Sequence, residues 1–396
     1  MLPTRSVDDV LALIDARFTA LPTEEVASAD ALGRVLAADA IAARDVPPFD
    51  RAMSDGLAAR SAETVGASSY SPLPLQLATL ADALLANGAT AVGAGERLPQ
   101  GADCVVPPEF TQSGPAGTVE ILETVAPESE IERYASHFVR GATMLRSGRR
   151  LRPSDVALLA TAGVDRVTVT RQPRVALVLA AGAAMAGEVE SNASILQPLV
   201  ARDGGALVSV SRVERTALAI RQAGIAAAAD IVLVVGGPGR GRDREAGAAL
   251  ADGGKLDVAE LALAPGGNLA FGRTGGGSWL FALPGAPVAC FWAYEMIVGR
   301  AVRGLAGRDA AMPFRQAAMR LTRKLVSAIG MTEVCPVRRH EDGVEPLPGF
   351  SPFNLLALGR ADGFVVVAEG SEGMPAGTVV PVHLFDDDAV PMTADP

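Results

Sequence analysis

Three strand-like runs, each with an unbroken apolar stretch that leads into a small-residue turn, constrain this chain more than anything else in it. They are Arg174-Val-Ala-Leu-Val-Leu-Ala-Ala-Gly182, Asp230-Ile-Val-Leu-Val-Val-Gly-Gly-Pro-Gly-Arg-Gly241 and Trp279-Leu-Phe-Ala-Leu-Pro-Gly285. A strand with no polar face must be covered on both sides, and helix-like segments separate these runs. They therefore read as central strands of a parallel sheet. In such sheets ligands bind beyond the carboxyl ends of the strands. Each run ends in a turn of small residues, so the candidate binding site is expected at those turns.

The 396 residues allow several domains and a sizeable core. Hydrophobic residues make up 49% and charged residues 20%, a globular balance. A net charge of −10 argues against a general nucleic-acid binder but leaves room for a small anion in a local basic pocket. Cys104, Cys290 and Cys335 lie far apart and form no metal-type cluster, which fits a reduced, cytoplasmic setting. Met1–Asp9 has no apolar stretch of signal-peptide type, and no window is long and apolar enough for a membrane span. Lysine occurs only at Lys255 and Lys324, so lysine-based catalysis has almost no candidates.

Taken in order, Ser6–Ala20 reads as a helix capped by Ser6, with Val7, Val10, Leu11, Ile14 and Phe18 on one face. A second helix is expected over Ala29–Ala42. The prolines of Asp45-Val-Pro-Pro-Phe-Asp50 then exclude a helix. Ser61–Val125 reads as a small β lobe, with Val119–Val125 a strand wet on one face. Pro153 and Asp155 open a further helix that Gly163 closes. Helices are expected over Ser191–Asp203, Thr216–Ala229 and Val288–Leu305, and a strand over Gly205–Val213. Phe314–Phe385 alternates between turns as an all-β domain does, and Asp386–Pro396 reads as a frayed tail.

The fold class is therefore multidomain α/β. A three-layer αβα cofactor-binding domain spans residues 174–310, and a C-terminal β domain spans 311–396. The N-terminal lobes are mixed α+β: a linking domain of residues 1–45 plus 137–173, and a small β lobe of 46–136.

Gly236-Gly-Pro-Gly-Arg-Gly-Arg-Asp-Arg244 is the sharpest local feature. Gly236, Gly237, Gly239 and Gly241 would let the backbone approach a ligand, and Arg240, Arg242 and Arg244 could bind phosphate or another oxyanion. The plainer reading is a tight strand-to-helix turn with solvated arginines. The run has neither dinucleotide-fingerprint nor phosphate-loop spacing. Pro284 and Gly285 form a second such turn, and Pro265 and Gly266 a weaker third. Asp55 sits in a Ser-Asp-Gly turn, where aspartate is common for local reasons. Glu188, Glu190, Ser191 and Asn192 could hold Mg²⁺ at a phosphate site or cap the next helix. His137, His340 and His383 read as surface or turn residues, and Trp292 as core.

Together these stretches resemble the molybdopterin molybdenumtransferase family, MoeA and the E-domain of gephyrin. Ala31–Ala40, Asp45–Asp50, Asp55-Gly56, Leu98–Val106 and Gly141–Gly148 match its N-terminal signatures. Ser191-Asn192, Gly236-Gly237, Pro265-Gly266, Ala270-Phe-Gly272 and Leu283-Pro-Gly285 fall in order on its cofactor-binding domain. Arg360–Phe364 and Glu369–Gly373 match its C-terminal domain. The resemblance implies a homodimer with its site between the α/β domain of one subunit and the N-terminal lobes of the other. It implies molybdopterin or adenylated molybdopterin as ligand, with Mg²⁺ and molybdate, and partners among pathway proteins or a recipient molybdoenzyme. Asp55, Asp243 and Glu190 then become the catalytic candidates.

The departures are as informative. Thr-Gly-Asp-Glu of the family is Ala181-Gly-Ala-Ala184 here, and Arg-Gly-Glu-Asp is Tyr134-Ala-Ser-His137. The aspartate after the Gly-Gly turn is displaced by one, to Asp243. Lys-Pro-Gly-Lys-Pro is Ala264-Pro-Gly-Gly-Asn268, so both lysines are gone. Backbone-shaping residues survive, while side chains for metal, molybdate or phosphate are mostly lost. Three readings stay open: an insertase of molybdenum-cofactor assembly, a non-catalytic scaffold or chaperone, and an α/β domain that takes another phosphorylated ligand.

Overall fold

The computed structural model describes residues 3–78, 83–115, 117–180, 186–236, 254–347 and 351–386. The chain divides into two compact units, Met1–Glu24 with Thr170–Pro396, and Glu25–Val169.

The first unit begins with helix α1 (Val7–Arg17), where the Ser6 hydroxyl accepts the Asp9 N–H at 3.1 Å as a cap. Residues 1–24 therefore group with the α/β part of the chain, not with the linking domain to which the sequence reading assigned residues 1–45. The reason is the apolar face of α1. Val7, Val10, Ile14 and Phe18 are buried in the same cluster as the sheet, and the Phe18 ring lies 4.4 Å from that of Trp279.

The Glu25–Val169 unit holds a six-stranded sheet in the order Cys104–Val106, Gly56–Ala59, Gly88–Val92, Leu73–Ala78, Thr118–Ile121, Thr111–Ser113. The strand expected over Val119–Val125 stops at Ile121. The Val125 N–H goes to the Thr64 hydroxyl instead. Helix α2 (Pro153–Thr161) starts and ends as its sequence signals require, with Gly163 at φ 74°. The helix expected over Ala29–Ala42 does not form. A short 3-10 turn at Ser28–Asp30 gives way to Gly33 at φ 75°, and Ala40–Ile41 pairs with Thr143–Leu145. Ala31, Leu36 and Ala40 are buried together, so long-range pairing satisfies their apolar spacing without a helix.

The α/β part follows as β1 (Arg174–Ala180), α3 (Ala186–Arg202), β2 (Ala206–Val213), α4 (Ala217–Ala226), β3 (Ile231–Val235), β4 (Lys255–Val258), β5 (Leu263–Ala264), β6 (Ala270–Arg273), β7 (Trp279–Leu283), α5 (Pro287–Ala293) and α6 (Gly299–Leu305). The sheet order is β2-β1-β3-β7-β6-β4. Strands β2, β1, β3 and β7 are parallel, while β6 and β4 are antiparallel additions at one edge. Alternate residues serve opposite layers. Leu177, Leu233 and Phe281 pack with α1, α3 and α5, whereas Val178, Val232 and Leu280 pack with Ile220 of α4. That two-sided burial is why each run carries an unbroken apolar stretch.

The helix expected over Val288–Leu305 is continuous but contains a π turn at Tyr294–Val298 between α5 and α6. The turn carries Glu295, fully buried and held by Arg202 of α3 at 2.7 and 2.9 Å. Asp203 in turn binds Arg303 at 3.0 Å.

Strands β8 (Arg315–Arg320), β9 (Thr332–His340), β10 (Gly363–Val367) and β11 (Val379–Leu384) form the C-terminal sheet, with β5 as its edge against β9. Among the described residues of this domain one short helix, α7 (Leu355–Gly359), interrupts the β pattern. Trp292 is core, as expected, with its ring 4.8 Å from that of Phe364. His383 is not a surface residue: it is buried in β11 and stacks on Phe364 at 4.7 Å. Its place on the inward face of a strand was hidden by its polarity. The tail expected after Asp386 lies outside the described residues.

Candidate functional site

Strands β1, β3 and β7 end in register, Leu179 beside Val235 and Val235 beside Leu283. Their carboxyl ends therefore share one edge, and the small-residue turns leave from it. Gly236 follows β3 at φ 113°, and a Cβ built there would stand 1.7 Å from the Ala180 carbonyl oxygen of β1. No side chain fits in that space, so glycine is required by the approach of two backbones as well as by its dihedral. Gly237, Gly239, Arg240, Gly241, Arg242 and Asp243 lie outside the described residues, as does Ala181–Ala184.

The next strand end is tied to α3. Asn192 is fully buried and its amide donates to the Gly285 carbonyl at 2.8 Å, joining α3 to the Pro284-Gly285 turn. Ser191 and Asn192 are well inside α3, which begins at Ala186, so the capping role considered for Glu190, Ser191 and Asn192 does not arise. Glu190 forms a fork with Arg212 near the end of β2, with Nη2 at 2.8 Å. The Arg212 guanidinium holds the Glu190 carboxyl below its usual range. A carboxylate so engaged is a weak candidate for a proton acceptor. Arg212 was missed in the sequence, because only the packing of α3 against β2 brings it beside Glu190.

Pro265 and Gly266 form the turn between β5 and β6. A Cβ on Gly266 would come within 3.1 Å of the Ala289 carbonyl oxygen and the Ala293 nitrogen, so this turn lies flat against α5. At the start of α5 the Val288 N–H is taken by the Pro352 carbonyl at 3.0 Å. The C-terminal domain thus borders the Leu-Pro-Gly turn, a contact that no local sequence signal announces.

Asp55 belongs to the Glu25–Val169 unit. It is exposed, and its carboxylate accepts the N–H of Ala94, 39 residues further on, at 2.8 Å, a contact between distant segments in place of the local turn role expected of it. In the same unit the departed motif is fastened to acids of its own lobe. The Tyr134 hydroxyl donates to Asp45 at 2.6 Å, Arg133 binds Asp50 at 2.7 Å, and His137 pairs with Glu132 at 2.7 Å. Tyr134 holds the Asp45 carboxyl below its usual range, and Asp45 in turn raises the Tyr134 hydroxyl.

Among the described residues no group of three His, Cys, Asp or Glu side chains could hold a metal ion. The described carboxylates therefore do not fit a divalent-cation site. None of the three thiols is poised as a nucleophile either. All are buried and unpaired in disulfides, and burial pushes Cys104 and Cys335 up to about 12 and Cys290 higher still. No helix among the described residues is long and apolar enough to cross a membrane.

What the geometry defines is a multidomain α/β protein whose carboxyl-edge glycines are fixed in place, Gly236 against the backbone of β1 and Gly285 by the Asn192 side chain of α3. Residues 5–163 match the family model of the MoeA N-terminal region (domain I and II), and residues 318–385 match that of the MoeA C-terminal region (domain IV). The chain belongs to the MoeA family. It is 28% identical over 431 residues to molybdopterin molybdenumtransferase 1 of Mycobacterium tuberculosis, covering 96% of this chain and 98% of the relative. It is 27% identical to the molybdopterin molybdenumtransferase of Staphylococcus aureus, covering 97% and 96%. The crystal structure of the molybdopterin biosynthesis moeA protein from Pyrococcus horikoshii superposes with a TM-score of 0.73 at 25% identity, over 97% of this chain and all of that one.

Proposed function

We propose that the protein acts on molybdopterin in molybdenum-cofactor biosynthesis and holds it, in adenylated form, at the carboxyl edge of the β1-β3-β7 sheet. The observation that carries this is the joining of the strand ends. Gly236 stands against the Ala180 carbonyl, and Asn192 holds the Gly285 carbonyl. A rim of glycines, Gly236 packed against a neighbouring strand's backbone and Gly285 held by the Asn192 amide, presents main-chain groups to a ligand. Gly237–Arg242 follow Gly236 in the sequence, outside the described residues, and Arg240 and Arg242 are the natural partners for phosphate. Molybdate enters this reading as substrate, and Mg²⁺ is assigned no step.

A second reading, in which the protein binds the pterin and hands it on without turnover, is favoured by one observation. Glu190, a catalytic candidate, is engaged by Arg212. Incubation with adenylated molybdopterin and molybdate, with and without Mg²⁺, separates the two when AMP release and active cofactor are both followed. Release of both supports turnover, tight binding without release supports handling, and absence of binding refutes both. The family resemblance extends the proposal to a homodimer, which light scattering of the purified protein tests.

A further inference from the structure

A cleft lies at the opposite end of the same sheet from the carboxyl-edge turns. Strands β3 and β7 begin there, at Ile231 and Trp279, and a cavity of about 410 Å³ opens beside Arg17, Asp230, Arg273, Gly277, Ser278 and Trp279. That volume lies at the lower end of the range of small-molecule sites and exceeds what a bare inorganic anion needs.

The charges at this cleft are unequal. Arg17 binds Asp257 at 2.5 Å, and Lys255 reaches the same carboxylate at 3.8 Å. Asp230 accepts both arms of Arg171, at 2.7 and 3.0 Å. Arg273 has no carboxylate partner among the described residues. Its guanidinium donates to the Gly277 carbonyl at 3.3 Å and lies 4.5 Å from the Trp279 ring centroid. Lys255 and Arg273 are direct cross-strand partners in the β4–β6 ladder, an arrangement of like charges that destabilises a sheet. Five cations, Arg17, Arg171, Arg174, Lys255 and Arg273, therefore meet three carboxylates, Glu24, Asp230 and Asp257, around this edge, and of these Arg17, Asp230 and Arg273 line the cavity itself, in a chain of net charge −10. Phe18 already covers the Trp279 ring at 4.4 Å, so recognition at the cleft runs through charge and not through stacking.

We propose that this cleft is a binding site for a small phosphomonoester, separate from the carboxyl-edge site and independent of its assignment. The surplus of two positive charges matches a phosphoryl dianion. Arg273 supplies the planar donor fork, and Arg17 and Lys255 supply the surrounding field. The phosphate relieves the Lys255–Arg273 repulsion, and the remaining cavity takes the organic part.

The test is calorimetric titration of the full chain with glycerol phosphate, inorganic phosphate and acetate. Both tryptophans are buried, but only Trp279 lines the cavity, so a change in its fluorescence gives a parallel signal. Saturable binding of glycerol phosphate is expected, weakened about tenfold or more by Arg273→Gln, as loss of a charge-assisted hydrogen bond implies. Lys255→Gln, at a largely exposed side chain, weakens it less, and Arg146→Gln, a charge loss elsewhere, leaves it unchanged. An unchanged unfolding midpoint in each variant ties the effect to the ligand. Absence of binding to the wild type, equal affinity in Arg273→Gln, or acetate binding as tightly as glycerol phosphate overturns the proposal.

Discussion

Replacing Gly236 by alanine tests whether the sheet edge is held as tightly as its geometry implies. The added Cβ would sit 1.7 Å from the Ala180 carbonyl oxygen, and contacts under 3.0 Å are essentially never adopted. The two backbones must therefore separate by roughly 1.3 Å, the difference between those distances. Both atoms are main chain at the ends of paired strands, so no rotamer change relieves the clash. Overpacking of this kind costs about 1–3 kcal/mol, and an L side chain at positive φ adds about 1–2 kcal/mol. The sum, about 2–5 kcal/mol, is a large share of an ordinary domain's stability. Gly330→Ala is the control: Gly330 is also at positive φ, 87°, but its Cβ would meet nothing within 4 Å, so only the conformational part applies. Urea unfolding of the two variants side by side gives the answer. Equal destabilisation of both, or a Gly236→Ala loss below about 1 kcal/mol, would refute the close approach.

Other consequences are open to simpler measurements. Arg202→Met strands the buried Glu295 carboxylate and is expected to lower stability by about 3–5 kcal/mol, with part recovered in Arg202→Met/Glu295→Met; an additive double variant contradicts the coupling. Arg149 and the Arg152 N–H hold the Asp155 carboxyl below its usual range, so the unfolded chain binds its proton more readily. Stability from this group is present above the ordinary carboxylate range and is lost as pH falls through the depressed folded value, and Asp155→Asn should flatten that acid limb. All three cysteines should resist thiol reagents in the native protein and react on unfolding; fast native labelling would contradict their burial.

Much of the α/β part was legible because its strands are apolar on both faces, a pattern that few other structures require. The Ser6 cap and the Pro153–Gly163 helix were legible because caps are local. Ala29–Ala42 was misread as helix because its apolar spacing suits a helix and an irregular ladder alike, and the partner at Thr143–Leu145 is distant in sequence. The π turn was hidden because a buried Glu295 inside an apolar helix has meaning only beside Arg202. At the candidate site Gly236, Asn192 and Gly285 were named from their residue types, while Arg212 and the Pro352 carbonyl were not. Both of these reach the edge by tertiary contact, and neither follows from spacing along the chain.

The most direct measurement of the central claim is the affinity of the purified chain for molybdopterin, compared with that of Asn192→Ala. That variant removes the donor to the Gly285 carbonyl and loosens the β7–α5 turn at a cost of about 1–3 kcal/mol in stability. The account predicts saturable pterin binding by the wild type and clearly weaker binding by the folded variant. Absence of binding to the wild type, or equal affinity in both, would contradict it.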